Sequence, residues 1–263
     1  DTVPLLNPLS RELSEMRRDL IFSGLSAVAH NLNRKQQDLR LFEFGKIYRN
    51  TEGKWGEENR LSVLVSGKRN RDHWAAPGEP LGFFYLKGMV RNLLDGAGIN
   101  NPQETPLQDA RFSEALRLER DGEILAELGL VHSRFLDAFE IRQEVLYADI
   151  RWDALLEQIR SNTVQYDEIP RFPEVRRDLA LLLDQTVSFQ ALHQQAFKTE
   201  QKLLKEVQLF DVYTGKKLPK GKKSYALSFY LQDVKKTLTD GQIDTIMKKL
   251  QQAFEKEFSA ELR

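Results

Sequence analysis

The sequence predicts an α+β protein of two domains, and three observations carry that prediction. At 263 residues the chain is too long for one small core. Short segments with period-two apolar alternation are interleaved with segments of period near 3.6, and turn signals separate them, which favours antiparallel sheet with helices beside it. Residues 161–173 then carry Pro170, Pro173 and a polar run. That composition marks a boundary between a domain over 1–165 and a second over 170–263.

The first domain reads as follows. Asn7-Pro8 makes a turn. Leu13, Leu20, Ile21, Gly24, Leu25, Val28 and Leu32 follow helical spacing, predicting one long helix from Leu13 to Leu32. Its small residues Gly24 and Ala27 would suit a subunit interface as well as a core. Residues 39–50 are apolar on both sides, as in a buried strand. A turn-rich connection is expected over 53–59 and a strand over 61–66. The prolines and glycine of 69–82 call for a loop, followed by a helix over 83–94. Strands over 115–119 and 124–131 flank Asp121-Gly122, a strong hairpin signal. A short helix over 132–139, a strand over 145–152 and a helix over 153–159 complete a mostly antiparallel sheet of five or six strands.

The second domain is more regular. A strand over 176–184 leads to a helix over 188–199. Two strands follow, then a helix whose start is signalled by a capping box (Thr239, Gln242) and a hydrophobic staple (Leu238, Ile243). Residues 260–263 leave room for a short closing strand. The order βαββαβ is the ferredoxin-like arrangement.

Composition excludes several functions. There is no cysteine, hence no disulfide, no thiolate metal ligand and no cysteine nucleophile. No apolar run is long enough for a membrane-spanning helix, and no signal segment opens the chain. The start at Asp1 reads as a piece of a longer chain. Net charge is +0, from 39 basic and 39 acidic residues. Residues 166–263 hold 17 Lys+Arg against 14 Asp+Glu, leaving 22 against 25 before them. Any nucleic-acid binding must therefore rest on local placement of charge.

Enzyme motifs are missing. No GxSxG occurs, and His30, His73, His132 and His193 are too scattered for a ligand pair. Gly96-Ala97-Gly98 does not continue as GxGxxG and is better placed at a helix end. Five residues separate Gly215 from Gly221 where a phosphate-binding loop has four, and Lys223 stands where Ser or Thr should bind magnesium.

The informative stretch is Leu203–Asp233. Strict alternation points Val207, Leu209, Asp211 and Tyr213 one way, and Gln208, Phe210 and Val212 the other. On the next strand Tyr225, Leu227, Phe229 and Leu231 form an apolar face, with Ser224, Ala226, Ser228 and Tyr230 behind it. The connecting loop region brings Lys216, Lys217, Lys220, Lys222 and Lys223 without an acid. A ring, a carboxylate and hydroxyls beside a cationic loop form a plausible surface for unpaired RNA bases. Lys223, Tyr225, Ala226 and Tyr230 partly match the RRM strand pattern, but Tyr225 and Phe229 fall on the core side, leaving Tyr213 as the candidate ring.

These residues also carry a resemblance. FPEVRRDLALLLD, LLKEVQLFDVYTG, LPKGKKSYALSFYLQD and TLTDGQI resemble the C-terminal anticodon-binding domain of the beta subunit of bacterial phenylalanine–tRNA ligases. NPLSRELSEMRRDL, NLNR and LFEFGKIY resemble the module just before it. The resemblance covers nearly the whole chain. It implies a class II synthetase-like antiparallel sheet over 1–165 and an anticodon-binding domain over 170–263. It also implies a cytoplasmic α2β2 enzyme that charges tRNA(Phe) with phenylalanine using ATP and Mg2+.

Catalysis would belong to the alpha subunit. In agreement, no FRxE-like motif is present, and Arg49 has no Glu two residues on. The fragment is expected to bind no cofactor or metal itself, and the helix over 13–32 to pack against alpha. Tyr213 would stack on the first anticodon base, with Asp211 and Ser224 bonding around it. The five lysines would contact phosphates, with Arg176 and Arg177 as weaker candidates. The alternatives are an independent class II-like ligase for a small substrate and a structural module without RNA contact.

Overall fold

The computed structural model describes residues 2–8, 14–160, 169–215 and 218–263. They fall into two compact units, 1–165 and 166–263. In the first, a helix α1 (Ile21–Leu32) precedes a long hairpin, β1 (Leu39–Thr51) and β2 (Lys54–Ser66). Next come α2 (Phe83–Gly96), β3 (Gln103–Pro106), β4 (Phe112–Arg120), β5 (Glu123–Val131), α3 (Ser133–Ala138), β6 (Val145–Arg151) and α4 (Trp152–Arg160). The six strands form one antiparallel sheet in the order β1-β2-β6-β5-β4-β3.

Each sheet face has its own core. On one, Leu86, Val90 and Leu94 of α2 and Leu155 of α4 meet Val65, Leu118, Ala126, Leu146, Ala148 and Ile150. On the other, Ile21, Leu25 and Val28 of α1 meet Leu64, Phe112, Val131 and Tyr147. Gly24 lets α1 lie close, because a methyl group there would press into Leu64.

Three expectations for this unit need correction. The first helix begins at Ile21, although helical spacing runs back to Leu13; residues 9–13 lie outside the described residues. Tertiary hydrogen bonds claim residues 14–17: Leu5 N–H donates to Ser14, Met16 N–H to Val3, and Tyr48 N–H to Arg17 at 2.8, 2.8 and 2.9 Å. The Arg17 guanidinium also bonds Glu43 and the Lys46 carbonyl. The expected loop over 53–59 is strand, because the chain reverses in two residues. Glu52 (φ 53°) and Gly53 (φ 83°) adopt the left-handed values of a tight hairpin turn, and Thr51 pairs with Lys54. Strand β3 was not foreseen. By contrast, Asp121 and Gly122 (φ 53° and 81°) make the expected hairpin between β4 and β5.

The second unit runs β7 (Val175–Asp184), α5 (Phe189–Thr199), β8 (Leu204–Tyr213), β9 (Lys222–Leu231), α6 (Asp240–Phe258) and β10 (Glu261–Leu262). Its sheet order is β10-β7-β9-β8, the ferredoxin-like order, with both helices on one face. Leu192 and Ala196 of α5, and Ile243, Ile246, Leu250 and Phe254 of α6, close over Leu181, Leu183, Leu227, Phe229 and Leu231. Fully buried Phe229 and Phe254 lie 6.1 Å apart, a contact whose truncation to alanine costs about 3–5 kcal/mol. The capping box forms: the Gln242 side-chain oxygen accepts the Thr239 N–H at 3.2 Å. Leu238 and Ile243 are both buried beside it. Among the described residues, the opposite face of this sheet carries no helix of the unit.

Candidate nucleic-acid interface

The open face of the second sheet is organised by the second of two register shifts in β8, the one between Leu209 and Asp211. Val207 pairs with Phe229 and Leu209 with Leu227, so both face the helices. The register then shifts: Asp211 pairs with Ala226, Val212 with Tyr225 and Tyr213 with Ser224. Phe210 is the extra residue of a β-bulge. Strict alternation would have left Asp211 and Tyr213 on the same side as Val207, against the core. The bulge turns them over to the side of Ser224 and Ala226. The three residues named from the sequence therefore share one face, by a mechanism that alternation did not contain.

Tyr213 is half-buried, Asp211 is exposed and Ser224 is 6% exposed. The Tyr213 ring lies against Gly215, where a methyl group would collide with the phenol. This close approach requires glycine. From the far edge, Arg263 donates its backbone N–H to the Ala180 carbonyl at 3.0 Å. Its guanidinium carbon stands 5.2 Å from the Tyr213 ring centroid. Ring and guanidinium thus meet over the middle strands. Sequence reasoning missed Arg263, and only the strand order brings the last residue of the chain to this face. It also missed Phe210, whose ring lies under Arg176 at 5.4 Å.

The basic residues divide. Arg176 pairs in register with Tyr230 on the open face and forms an ion pair with Asp178 at 2.9 Å. That guanidinium holds the Asp178 carboxyl below its ordinary range. Lys222 keeps the parity of Ser224, and Lys220 is exposed in the loop. Lys216 and Lys217 lie outside the described residues.

Two of the basic candidates lie off the open face. Lys223 is 9% exposed and has the parity of the core residues Tyr225 and Leu227. Its ammonium bonds the Tyr225 hydroxyl at 2.8 Å and sits 4.4 Å from that ring's centroid. It is an amphipathic cover for the core rather than a loop cation. Arg177 pairs with Phe229 on the helix side and contacts Asp240 at 3.4 Å. It complements the acidic first turn of α6 and is turned away from the open face.

The first unit offers a different kind of polar face. On the side that α1 covers, Arg60 and Asp149 are both buried and 3.3 Å apart. Arg111 bonds Asp109 and Glu127 at 2.8 and 2.7 Å, and Arg117 bonds Glu127 at 2.8 Å. Burial raises the Asp149 carboxyl against the opposing pull of Arg60 and Arg111. Within this cluster Arg60 Nε and Asp149 Oδ1 have no hydrogen-bond partner among the described residues. Among the described residues, no group of three or more His, Cys, Asp or Glu could hold a metal ion, and no helix is long and apolar enough to cross a membrane.

Residues 1–152 match the family described as phenylalanyl tRNA synthetase beta chain CLM domain, and residues 170–263 match the ferredoxin-fold anticodon binding domain. The chain belongs to the phenylalanyl-tRNA synthetase beta-chain family. Proteins called phenylalanine–tRNA ligase beta subunit are similar to it throughout. That of Bacteroides thetaiotaomicron is 46% identical over 99% of this chain and 33% of its own length. That of Porphyromonas gingivalis is 42% identical with the same coverage, and that of Fusobacterium nucleatum is 32% identical over 100% and 34%. The chain spans about a third of the length of these curated relatives. A pyrrolysyl-tRNA synthetase from Desulfitobacterium hafniense aligns more loosely, with TM-score 0.46 at 15% identity over 60% of this chain and 53% of that one.

Proposed function

We propose that this beta-chain segment is a non-catalytic part of a phenylalanine–tRNA ligase. Residues 170–263 bind the anticodon of tRNA(Phe), and residues 1–165 assemble with an alpha subunit, as α2β2. The alpha subunit carries out the ATP- and Mg2+-dependent attachment of phenylalanine in the cytoplasm. The observation that carries this reading is the bulge at Phe210, which sets Asp211 and Tyr213 beside Ser224 on a face without helices. A base stacked on the Tyr213 ring is worth about 1–3 kcal/mol. Asp211 accepts only from a base donor, such as a guanine Watson–Crick edge, because phosphates repel it. Arg176, Lys220 and Lys222, with Lys216 and Lys217, supply phosphate contacts that set position rather than sequence.

For the alpha contact, α1 offers a poor surface. Its outward residues are Phe22, Ser23, Ser26, Ala27 and His30. Edge strand β1 exposes far more apolar area, with Phe42 at 72% and Phe44 at 56%. Its outer edge has no partner strand within the described sheet.

The direct test of this reading is titration of the chain with an anticodon stem-loop of tRNA(Phe), against one altered only at the first anticodon base. Tighter binding of the cognate loop is expected. Equal binding of the two would contradict base reading at this face.

A further inference from the structure

The first unit carries a cationic basin that the anticodon reading does not use. It has a volume of about 540 Å³ and is lined by Lys35, Arg40, Lys68, Arg69 and Arg71, with Asp38 and Asp72 the acids among its lining residues. Five cations against two acids stand out in a unit whose own balance is 22 basic to 25 acidic residues. Both acids are already engaged. Asp38 accepts the Lys68 backbone N–H at 2.7 Å. Asp72 accepts the Gly78 N–H at 2.8 Å and the Lys68 ammonium at 2.7 Å.

The cations are held in a prepared geometry. The Arg40 guanidinium donates to the Tyr85 hydroxyl at 2.9 Å and to the Lys68 and Arg69 carbonyls at 3.2 and 2.6 Å. Arg69 and Arg71 lie on a braced tongue rather than a slack loop. Lys68 bridges to Pro80, and His73 and Ala76 exchange backbone hydrogen bonds at 3.0 Å. Lys35 lies just past the C-terminus of α1, where a cation also complements the helix dipole. Among the described residues Arg69 and Arg71 have no such structural employment, and both are exposed. Three residues beyond Arg71, the same tongue presents Trp74 at 93% exposure, its ring centroid 5.6 Å from that of His73.

We infer that this tongue and basin form a second RNA-binding surface. It takes the phosphates of a single-stranded or looped RNA segment in the basin and a base against Trp74. Unspent guanidinium groups beside a bare indole match the pairing of electrostatic track and stacking platform that single strands require. A purely acidic peptide would use the cations and leave the indole without a role.

The test exploits Trp74: of the three tryptophans (Trp55, Trp74 and Trp152), it is the one this surface sets against a base, so an emission change that depends on Trp74 reports binding here. The full chain is titrated with a uridine decamer across a salt series. The decamer is expected to quench emission, and the quenching to vanish in Trp74→Phe. In the Arg69→Gln/Arg71→Gln variant, the slope of log affinity against log salt is expected to fall by about 1.4, at about 0.7 per single-strand phosphate contact. Both arginines are exposed, so folding is not at stake. No quenching, or an unchanged slope in the double variant, overturns the inference. Displacement of the decamer by poly-glutamate at equal charge would assign the basin to an acidic protein, and displacement by inorganic phosphate at equal phosphate concentration would reduce it to a small-anion site. Either outcome also overturns it.

Discussion

The guanidinium of Arg263 stands 5.2 Å from the centroid of the Tyr213 ring, although the two residues start from opposite edges of the four-stranded sheet. The contact orients the ring and leaves a cation beside whatever stacks on it. Arg263→Ala is expected to weaken binding of an anticodon stem-loop two- to fivefold, the value of an exposed cation–π contact of about 0.5–1 kcal/mol. Arg263→Lys should recover part of the loss. Fluorescence anisotropy with a labelled stem-loop measures it. Tighter binding by the alanine variant would mean that Arg263 competes with the base.

Gly215 faces the same ring. A methyl group added there must push the phenol aside, and Tyr213 lies outside the core. Gly215→Ala is therefore expected to lower stem-loop affinity while changing the thermal midpoint little. Adding it to Tyr213→Ala should cost nothing more, since both changes remove one interaction. Additive losses in this double-mutant cycle would show that Gly215 acts elsewhere.

The Arg60–Asp149 pair makes a prediction about pH. Removing one partner of a buried pair costs about 3–5 kcal/mol, and Arg60→Ala should destabilise the first unit by that order. Arg60 is what chiefly opposes the burial that raises Asp149. Without it, the folded-state pKa of Asp149 rises further above the unfolded value near 3.9. A carboxyl raised in this way contributes stability that is complete below its unfolded pKa and lost as pH climbs through its folded pKa. The deficit of the variant should therefore be smallest near pH 4 and grow toward neutrality. Urea unfolding followed by emission of the tryptophans, all three in the first unit, measures this. A deficit independent of pH would count against the pairing.

Phe42 is expected to matter for assembly rather than folding. It is 72% exposed and touches Phe44 edge-on at 6.2 Å. Phe42→Asp should greatly reduce co-purification with an alpha subunit while tryptophan emission stays as in the unaltered chain. Full recovery of the complex would move the contact off β1.

Much of this was legible in the residues. Thr239, Gln242, Leu238 and Ile243 announce the start of α6 because capping is local chemistry. Asp121-Gly122 announces its turn for the same reason. What failed was decided at longer range. Residues 14–17 have helical spacing, but Met16 donates to Val3 while Ser14 and Arg17 accept from Leu5 and Tyr48. Glu52 carries the positive φ of a hairpin turn without being a residue that favours it. At the site, Asp211, Tyr213 and Ser224 could be named from sequence, but their common face depends on a bulge that no period-two pattern encodes. Lys223 reads as part of a cationic run until parity with Tyr225 places it over the core. Arg263 reaches the site only through the order β10-β7-β9-β8.

The central claim is that the Tyr213 ring is a stacking platform for an anticodon base. Its most direct measurement is the affinity of the chain for the tRNA(Phe) anticodon stem-loop with Tyr213 intact, as Tyr213→Phe and as Tyr213→Ala. The predicted result is near-equal binding for the first two and a loss of about 5- to 150-fold for alanine, the equivalent of 1–3 kcal/mol. Unchanged affinity in a folded Tyr213→Ala protein would contradict it.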